Sequence, residues 1–537
     1  MPDLHFATVW EAVADTVPDA DAIVQGEARL SWGDYDEQAA RLAGTLAAHG
    51  VGPGASVGMY LFNGPEYLVT QYAGFKLRAV PVNVSYRYLA DELAYLLGDS
   101  AAEAVVFHSS LSDRVAAVRE RAPQVKVWIE VDDGGPHLDG ALSWKEALAG
   151  PPAPRIDRPG DDLYVLYTGG TTGMPKGVQY RQADFAAMWL GLAALSVGAA
   201  GGSVDDVPVA TRAAADAGQV PRTLVACPLM HGTGMWLGAF VAHSIGGAVV
   251  LTTSRSFDPH EAWRLVESER CRGVVIVGDA FARPLLNALD EAVAGGTAYD
   301  LSSLTQMVSS GVMWSAEVKQ GLLRHADLVL LDAMGSTEGA LGTSITTRAN
   351  VSETASFTLG PATKVFTDDG REVQPGTGEM GMLASPAMML GYRGDPAKTA
   401  QTIREIDGVR YVFPGDYATV EPDGSIRLLG RGSQCINTGG EKVFPEEVEE
   451  AVKRHPDVAD CLVVGLPDER FGEQVVAVAS LRPGSSVSAD DLVSFVRDDG
   501  HLAHYKLPRR VVLVEAVRRA PNGKADYPWA REAATSA

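Results

Sequence analysis

The sequence predicts an α/β protein with a large N-terminal domain of mostly parallel sheets and a small α+β C-terminal domain. Strand-like and helix-like segments alternate over residues 1–430. A glycine-rich change of pattern follows near Gly430, and the chain of 537 residues is too long for one small core. We place the boundary at the GRGS turn, which gives domains of residues 1–430 and 431–537.

Apolar runs predict the strands of the N-terminal domain, among them ASVGMYL, AEAVVFH, TLVACPL, GVVIVGD and DLVLLDAMG. Between them lie patterns rich in Ala, Leu, Glu and Arg, such as DEQAARLAGTLAAHG, which predict helices. This alternation is typical of parallel sheets, whose ligands bind beyond the carboxyl ends of the strands. Residues 196–222, rich in Ala, Gly and Asp, are expected to form a mobile insertion.

The C-terminal domain is predicted from five shorter segments. Pro445 followed by Glu446 and Glu447 suits a helix N-terminus, where carboxylates meet the positive end of the helix dipole. The expected order is helix, strand, strand, helix and strand, over EEVEEAVKRH, DCLVVGL, QVVAVASL, SADDLVSFVRDDG and RRVVLVEAV.

Composition excludes several classes of protein. A hydrophobic content of 46% and a charged content of 21% are ordinary for a soluble globular protein. The formal net charge of -23 argues against nucleic acid as a partner, because phosphate backbones need basic surfaces. The four scattered cysteines, without CxxC or HExxH, argue against a disulfide framework or zinc site and fit a reducing cytoplasm. The oligomeric state stays open, with a homodimer as one expectation.

Two segments could be taken for targeting or membrane sequences. The N-terminus MPDLHFATVWEAV lacks a basic region followed by an apolar run, so we expect no signal peptide. The apolar stretch MWLGAFVAHSIGGAVVLTT, residues 235–253, is divided by Gly246 and Gly247. We interpret it as a buried helix, turn and strand rather than a membrane span.

The segment YTGGTTGMPKGV, residues 167–178, is the most informative motif of the chain. Its glycines leave room beside the main chain, and its N–H groups, hydroxyls and lysine suit a polyanion such as a triphosphate. It is not a Walker A loop, because Pro175 precedes Lys176 and Gly177 follows it. The alternative is an ordinary turn between two strands with a solvated lysine.

The whole string resembles the phosphate-binding loop of the adenylate-forming (ANL) superfamily, which holds acyl-CoA synthetases, peptide-synthetase adenylation domains and luciferases. The resemblance implies a large AMP-binding domain, a small mobile C-terminal domain and a hinge near residues 431–434, where Ser433 replaces the family's usual Asp or Lys. It also implies that ATP phosphates contact Thr168, Gly169, Gly170, Thr171, Thr172, Gly173 and Lys176.

Further motifs resemble the superfamily in the same chain order. In CPLMHGTG, His231 would border the carboxylate substrate, and the absence of a nearby Asp points to an acid without an α-amine. In DAMGSTEG, Thr337 would contact the α-phosphate and Glu338 would hold Mg²⁺. The adenine site would be formed by Gly311, Val312, Met313, Asp332, Ala333, Met334, Gly335 and Ser336, with Met334 in place of the usual aromatic residue.

The remaining motifs lie toward the C-terminus. Asp416 and Arg431 resemble the ribose contacts. The segment APNGK resembles the catalytic-lysine motif, in which Lys524 would stabilise negative charge as the carboxylate attacks ATP. The glycine loop that lines the pantetheine tunnel during thioester formation would contain Gly439, Gly440 and Glu441.

The resemblance predicts an ATP-dependent, Mg²⁺-dependent acyl-CoA ligase that forms an acyl-adenylate and then a CoA thioester. The mostly apolar candidate pocket predicts a hydrophobic acid and comprises Met235, Trp236, Gly278, Ala280 and Phe281. Together with MHGTG and VGDAFARP, the loop looks like actinobacterial fatty-acid CoA ligases, including those for steroid side-chain carboxylates. The alternatives are an adenylation enzyme that loads a carrier protein, a luciferase-like oxygenase and a non-catalytic acyl- or adenylate-binding protein.

Overall fold

The computed structural model of the chain describes residues 3–168, 174–438, 441–468, 471–498, 502–520 and 523–537. It has the predicted large N-terminal domain, in which helices alternate with strands, and a smaller C-terminal domain with its own sheet. All eleven strands and helices quoted above from the two domains fall on elements of the predicted type except for shifts at their ends.

The largest sheet begins as a parallel sheet. Its neighbouring parallel strands are, in spatial order, Asp21–Gln25, Ala248–Leu251, Arg222–Val225, Gly273–Ile276, Gln306–Ser310 and Val329–Ser336. The edge strand Ala28–Ser31 pairs antiparallel with the first of them. The connections between these strands contain the helices Thr233–Phe240, which is a π-helix, Val241–His243, Pro259–Ser268, Gly278–Ala294 and Ala316–His325.

The same sheet continues as an antiparallel sheet, which the strand pattern did not predict. The strand Val329–Ser336 turns back tightly into Gly339–Thr346. Further strands follow in the order Ser356–Leu359, Ile426–Arg431, Asp416–Val420, Met380–Pro386, Val409–Val412 and Ile403–Ile406, with Lys364–Phe366 beside Met380–Pro386. Short antiparallel strands joined by turns lack the helical crossovers that identify parallel sheets in a sequence.

A second sheet of the N-terminal domain is entirely parallel. Its strands are Val80–Asn83, Ser56–Tyr60, Ala102–His108, Val127–Val131 and Leu142–Ser143. A three-stranded antiparallel sheet consists of Leu163–Thr168, Lys176–Arg181 and Gly391–Tyr392. The other helices of this domain are Phe6–Thr16, Trp32–Ala48, Pro65–Lys76, Ala90–Asp99, Ser112–Val118, Trp144–Ala147, Gln182–Ser196, Asp206–Asp216 and Pro396–Thr402, with short 3₁₀ turns at Ser109–Leu111 and Arg119–Arg121.

The main core lies where the first helix meets the three-stranded sheet. Phe6 stacks on Phe75 and contacts Phe240, with ring centroids 5.2 and 4.4 Å apart. Tyr164 of the sheet stacks on Phe185 at 5.1 Å. These rings are all buried. Such a core holds the glycine-rich hairpin on a rigid base.

Two segments of the N-terminal domain test predictions that were made from the sequence. The expected mobile insertion at residues 196–222 contains the helix Asp206–Asp216, whose Val207, Ala210 and Ala214 are buried, so the prediction of a mobile insertion is wrong. Its alanines favour a helix, and their small side chains pack closely. Residues 235–253 form the predicted helix, turn and strand, and none of the helices that the structure describes is both long and apolar enough to cross a membrane.

The C-terminal domain contains a separate five-stranded sheet. Its strands run in the order Glu441–Val443, Ile436–Thr438, Gly472–Leu481 and Val458–Asp468, with Arg510–Val514 parallel to Gly472–Leu481. Its helices are Pro445–Lys453, Ala489–Asp498 and Tyr527–Ser536, and 3₁₀ turns occupy Gly432–Gln434 and His504–Lys506. As predicted, Pro445 begins its helix, and the Glu447 side chain accepts the backbone N–H of Phe444 at 3.2 Å.

Candidate active site

Four predicted motifs follow neighbouring parallel strands of the largest sheet. The strand ends are held side by side by backbone pairing, which matches Ile276 with Ser309 and Ser310 with Ala333. Since parallel strands end at one edge of a sheet, the residues that follow them share that edge. The residues brought to this edge are His231, Gly278, Gly311 and Thr337.

The predicted adenine and pocket segments contact each other through their backbones. Gly278 has a φ of +51°, and a Cβ there would lie 2.5 Å from the Met313 carbonyl oxygen. The Asp279 N–H donates to that same carbonyl at 3.0 Å. Gly311, with a φ of +92°, begins the turn that brings Val312 and Met313 to this position. Glycine is therefore required at position 278 for both its conformation and its space.

Thr337 and Glu338 form the turn of a tight hairpin at the same edge. Ser336 and Gly339 pair across it, and the Ser336 hydroxyl accepts the Glu338 N–H at 3.2 Å. The Tyr180 hydroxyl donates to the Thr337 carbonyl. The Tyr392 hydroxyl donates to Glu338 Oε1 at 2.7 Å. Two tyrosines therefore fix the turn that carries the predicted phosphate and metal ligands.

The adenine-site candidates on the strand before this turn alternate between the two faces of that strand. Asp332 and Met334 point to the buried face and are 5% and 8% exposed, whereas Ala333 and Gly335 lie on the opposite, partly exposed face. Asp332 forms a buried ion pair with Lys319 at 3.1 Å. Burial raises the pKa of Asp332 to about 6, although Lys319 opposes the shift. Met334 packs into an apolar cluster, so these two side chains lie inside the protein.

The glycine-rich loop connects two antiparallel strands. Thr168 pairs with Lys176 at the base of this hairpin. The loop residues Gly169, Gly170, Thr171, Thr172 and Gly173 lie outside the described residues. Lys176 Nζ is 2.7 Å from the Asp395 carboxylate, and both side chains are partly exposed. An exposed pair of this kind is weak, so a stronger anion can replace the carboxylate as the partner of the lysine.

Two asparagines that sequence reasoning missed join these loops. Asn83 donates to the carbonyls of Tyr167 at 2.7 Å and Met230 at 2.8 Å, and it accepts the Tyr167 N–H at 2.7 Å. Asn63 donates to the Cys227 carbonyl at 3.0 Å and accepts the Leu229 N–H at 2.8 Å. Each follows or ends a strand of the second sheet, and a polar residue at a strand end is the signal that could have found them.

His231 is partly exposed and lies near two positive charges. Desolvation, together with the charges of Lys524 and Arg87, lowers the pKa of His231 to about 3. The imidazole is therefore neutral at physiological pH and presents one donor and one acceptor nitrogen. A neutral ring can hydrogen-bond a carboxylic acid or carboxylate without contributing a fixed charge.

The predicted pocket residues divide into buried and partly exposed groups. Met235 and Phe281 are buried, with exposures of 1% and 5%. Trp236 is partly exposed, and its Nε1 donates to the Tyr164 hydroxyl at 2.8 Å. A Cβ at Gly232 would lie 3.0 Å from the Trp236 ring. The π-helix over Thr233–Phe240 carries this indole, and such helices recur at functional sites.

Asp416 and Arg431 face each other on neighbouring antiparallel strands. Arg431 Nε is 3.2 Å from Asp416 Oδ1. Burial raises the pKa of Asp416, while Arg431 and Lys524 oppose the shift. The charge of Asp416 in turn raises the pKa of Arg431. The predicted ribose ligands are thus together and close to the predicted catalytic lysine.

The C-terminal domain brings Lys524 to this cleft on a tight turn. Desolvation and the charge of Arg431 lower the pKa of Lys524, whereas Glu338 and Asp416 raise it. Lys524 is exposed to water, as expected for a side chain in an open cleft rather than in a core. Gly523 has a φ of +73°, and a Cβ there would lie 2.6 Å from the Ala280 Cβ. The turn therefore rests directly on a predicted pocket segment.

The last features near the cleft are the predicted tunnel residues and a cavity between the two domains. Gly439 and Gly440 lie outside the described residues, and Glu441 is exposed at the start of a short strand. A cavity of about 370 Å³ between the domains is bordered by Met313 and Asp279 on one side and by Lys453 on the other. Neither His231 nor Lys524 lines it, so this cavity is distinct from the predicted acid site.

Sequence comparison defines the class of protein to which this fold and cleft belong. Residues 10–393 match the profile of the AMP-binding enzymes, and residues 447–524 match the AMP-binding enzyme C-terminal domain. The chain belongs to the AMP-binding enzyme family. Matches to both profiles agree with the two domains of the structure.

Full-length relatives define the class more closely. The chain is 41% identical to the medium-chain acyl-CoA ligase Mig of Mycobacterium avium over 98% of both chains. It is 40% identical to a 3-oxocholest-4-en-26-oate–CoA ligase of Rhodococcus rhodochrous, over 98% of this chain and 96% of the relative. The chain is thus an AMP-forming acid–thiol ligase, a class that uses ATP and CoA.

Solved structures agree with the fold. The anthranilate CoA ligase AuaEII in complex with anthranoyl-AMP superimposes with a TM-score of 0.84 at 20% identity, over 100% of this chain and 98% of that one. ATP-bound MatB from Rhodopseudomonas palustris superimposes with a TM-score of 0.80 at 24% identity, over 99% of both chains. At these identities the likeness supports the fold alone.

Proposed function

We propose that this ligase activates a hydrophobic carboxylic acid, either a steroid side-chain carboxylate or a medium- or long-chain fatty acid. The observation that carries the proposal is that Gly523, beside Lys524, rests on the predicted pocket residue Ala280, where the charges of Arg431, Glu338 and Asp416 act on Lys524. The names of the two full-length relatives support this range of acids. Gly232 follows His231, so this motif offers no acid to neutralise an α-amine.

In the first step, a carboxylate oxygen of the acid attacks the α-phosphorus of ATP. A new oxygen–phosphorus bond forms, the bond to the bridging oxygen breaks, and pyrophosphate leaves with that electron pair. The ammonium of Lys524 stabilises the added negative charge at the α-phosphate and ribose end of the cleft. Lys176 exchanges its weak partner Asp395 for the departing phosphates. The Asp416 carboxylate accepts the ribose hydroxyls.

We propose Glu338 as the residue that holds Mg²⁺ and Thr337 as a contact of the α-phosphate. Within the described part of the chain, no group of three His, Cys, Asp or Glu side chains could hold a metal ion by itself. A single carboxylate fits Mg²⁺ bound together with ATP, because this ion takes one or two protein carboxylates, waters and substrate phosphates. When bound, Mg²⁺ offsets phosphate charge. The protein's contribution is the Tyr392 hydrogen bond that orients Glu338.

In the second step, the thiol of CoA attacks the carbonyl carbon of the acyl-adenylate. The carbon–sulfur bond forms, AMP leaves with the former carboxylate oxygen, and the thiol proton passes to solvent. We propose that the C-terminal domain, residues 431–537, rotates about residues 431–434 and exchanges Lys524 for the Gly439–Gly440 loop. Ile426–Arg431 pairs in the large sheet and Ile436–Thr438 in the small one, which supports a hinge between them.

The test is pyrophosphate release from ATP and Mg²⁺ with a panel of fatty, aromatic and steroid side-chain acids, with and without CoA. The proposal predicts release with fatty or steroid acids, and an acyl-CoA product only when CoA is present. Release without any thioester would favour carrier loading or oxidation. No release with any acid would contradict catalysis altogether and favour a binding protein.

We further propose a cytoplasmic location, and a homodimer stays one expectation for the assembly. All four cysteines are free, which suits a reducing compartment, and ATP and CoA are cytoplasmic metabolites. Sedimentation of the purified chain over a range of concentrations measures the assembly, and a single species of about one chain mass would contradict the homodimer.

A further inference from the structure

We propose that Arg519 and Asp460 are positioning residues for the first half-reaction, because together they hold the turn that carries Lys524. The inference rests on the proposed role of Lys524 in adenylate formation. Neither residue belongs to the motifs that identify the site. We call the pair of Arg519 and Asp460 the clamp, because it joins the turn to the core sheet of the C-terminal domain.

The turn is a short hairpin whose base is residue 519. Arg519 and Ala525 pair as an antiparallel bridge. The Ala520 N–H donates to the Lys524 carbonyl, and the Gly523 N–H donates to the Ala520 carbonyl, both at 2.8 Å. These bonds set the local shape of the turn, but they do not fix its orientation relative to the domain.

Arg519 supplies that orientation with three donors. Its Nε and Nη2 donate to the two carboxylate oxygens of Asp460 at 2.6 and 2.7 Å, and its Nη1 donates to the Gly523 carbonyl at 3.2 Å. The planar guanidinium makes two parallel bonds to the carboxylate, so it is fixed in direction as well as in distance. The third bond ends on the residue immediately before Lys524.

Asp460 is itself a rigid anchor. It lies on the long strand Val458–Asp468, where the register shifts by a bulge, and its Oδ1 also accepts the backbone N–H of Cys461 at 2.8 Å. Although burial opposes ionisation, hydrogen bonds and charge from Arg519 lower the pKa of Asp460. The carboxylate is therefore a fixed anion that holds the guanidinium in place.

This clamp matters in one conformation of the enzyme. Lys524 contributes to catalysis only when it lies at the α-phosphate, and a misplacement of about 1 Å can cost about 100-fold in rate. The Gly523 turn meets the N-terminal domain at Ala280, which leaves little freedom for a tilted turn. After the proposed rotation, Lys524 no longer lies beside the reacting atoms, so the clamp should have no part in thioester formation.

Two variants test the clamp without removing its bulk. Arg519→Lys keeps the positive charge beside Asp460 but loses the parallel bonds and the bond to Gly523. Asp460→Asn removes the anchoring charge at nearly constant volume. The matched control is Arg510→Gln, because Arg510 is an arginine of the same domain that donates to the Ala534 carbonyl rather than to the turn.

The readout separates the two half-reactions with dodecanoate as the acid. We expect Arg519→Lys and Asp460→Asn to slow pyrophosphate release about 10- to 100-fold, with the KM for ATP changed by less than about twofold. Thioester formation from supplied dodecanoyl-adenylate and CoA should stay within about twofold of wild type. Arg510→Gln should leave both rates unchanged.

A double variant tests whether Arg519 acts on the rate only through Lys524. In Lys524→Ala, whose adenylation is already slow, adding Arg519→Lys should cause no further loss, because the arginine acts through the lysine. Equal loss in both half-reactions, an added loss in Lys524→Ala, or no loss in the single variants would each overturn the inference. Failure of wild type to form dodecanoyl-adenylate or any other adenylate would instead contradict the proposed function.

Discussion

The cleft is formed by two regions that are held in different ways. At the sheet edge, His231, Gly278, Gly311 and Thr337 follow neighbouring strands whose spacing is set by backbone hydrogen bonds. Lys524 instead reaches the cleft on a turn of another domain. The first region is fixed by the fold, whereas the second depends on side-chain contacts and on how the domains are arranged. Changes at the edge should therefore affect stability and binding, and changes at the turn should affect one chemical step.

The largest effect is expected for Lys524→Ala. Removing the cation should slow adenylate formation about 100- to 1000-fold, the range observed when a group that stabilises transition-state charge is removed. Thioester formation from supplied acyl-adenylate should be largely spared, and pyrophosphate release and acyl-CoA formation measure the two steps. The control Lys364→Ala removes an exposed lysine paired with Glu372 in the antiparallel region. Equal loss in both steps would remove the distinction between the two regions.

A substitution at the sheet edge should destabilise the whole N-terminal domain. Gly278→Ala introduces a Cβ only 2.5 Å from the Met313 carbonyl oxygen at a residue with a φ of +51°. We expect a cost of about 1 to 3 kcal/mol in the free energy of unfolding. Chemical denaturation measures it, with Gly52→Ala as control, since a Cβ at Gly52 meets no atom within 4 Å. An unchanged midpoint would mean that the edge is less tightly packed than described.

A smaller effect is expected where a side chain orients the proposed metal ligand. Tyr392→Phe removes the hydroxyl that donates to Glu338 at 2.7 Å. The loss of one such bond costs about 1 kcal/mol, so the Mg²⁺ concentration for half-maximal rate should rise about fivefold. A titration of the rate with Mg²⁺ measures this. A fall in the maximal rate without a shift in that concentration would contradict the assignment of Glu338.

The smallest effect is a pH dependence of stability. Because the pKa of His231 is lowered to about 3, the folded chain binds fewer protons at this residue than the unfolded chain, whose histidines titrate near about pH 6.5. The contribution of His231 to stability is present above that value and is lost as the pH falls toward the folded pKa, by at most about 1.4 kcal/mol per pH unit.

The comparison of wild type with His231→Gln isolates this imidazole. His243 is also buried, and its pKa is lowered to about 4, so its contribution is present in both proteins. The free energy of unfolding of wild type should fall more steeply than that of the variant from about pH 7 to about pH 5. Parallel curves would show that His231 is hydrated in the folded chain.

The two regions also differ in how far the sequence predicts them. Strand periodicity places Gly278, Gly311 and Thr337 after buried strands, and parallel pairing then brings them together. Nothing local indicates that Gly523 rests on Ala280, because that contact depends on the arrangement of two domains. The family resemblance, rather than periodicity, identified Lys524 as a site residue.

The structure also differs from the sequence predictions in which face of a strand a side chain lies on and in which group a side chain hydrogen-bonds. Met334 and Asp332 were expected at the adenine but point to the buried face of their strand. The motif gives the order of residues, whereas the facing sheet decides which side chains are covered. Asn63 and Asn83 were missed because their partners are backbone groups 84 to 166 residues away. A polar residue at the end of a strand marks such a position in the sequence, but nothing in a single sequence identifies partners this far away.

The most direct test of the proposed chemistry follows the carboxylate oxygen. A single turnover is run with ATP, Mg²⁺, CoA and dodecanoate labelled in both oxygens with the heavy isotope, and the products are analysed by mass spectrometry. Attack on the α-phosphorus predicts one heavy oxygen in AMP, none in pyrophosphate, and one in the acyl-CoA carbonyl. Heavy oxygen in pyrophosphate or inorganic phosphate, or unlabelled AMP formed together with acyl-CoA, would contradict an acyl-adenylate at this cleft.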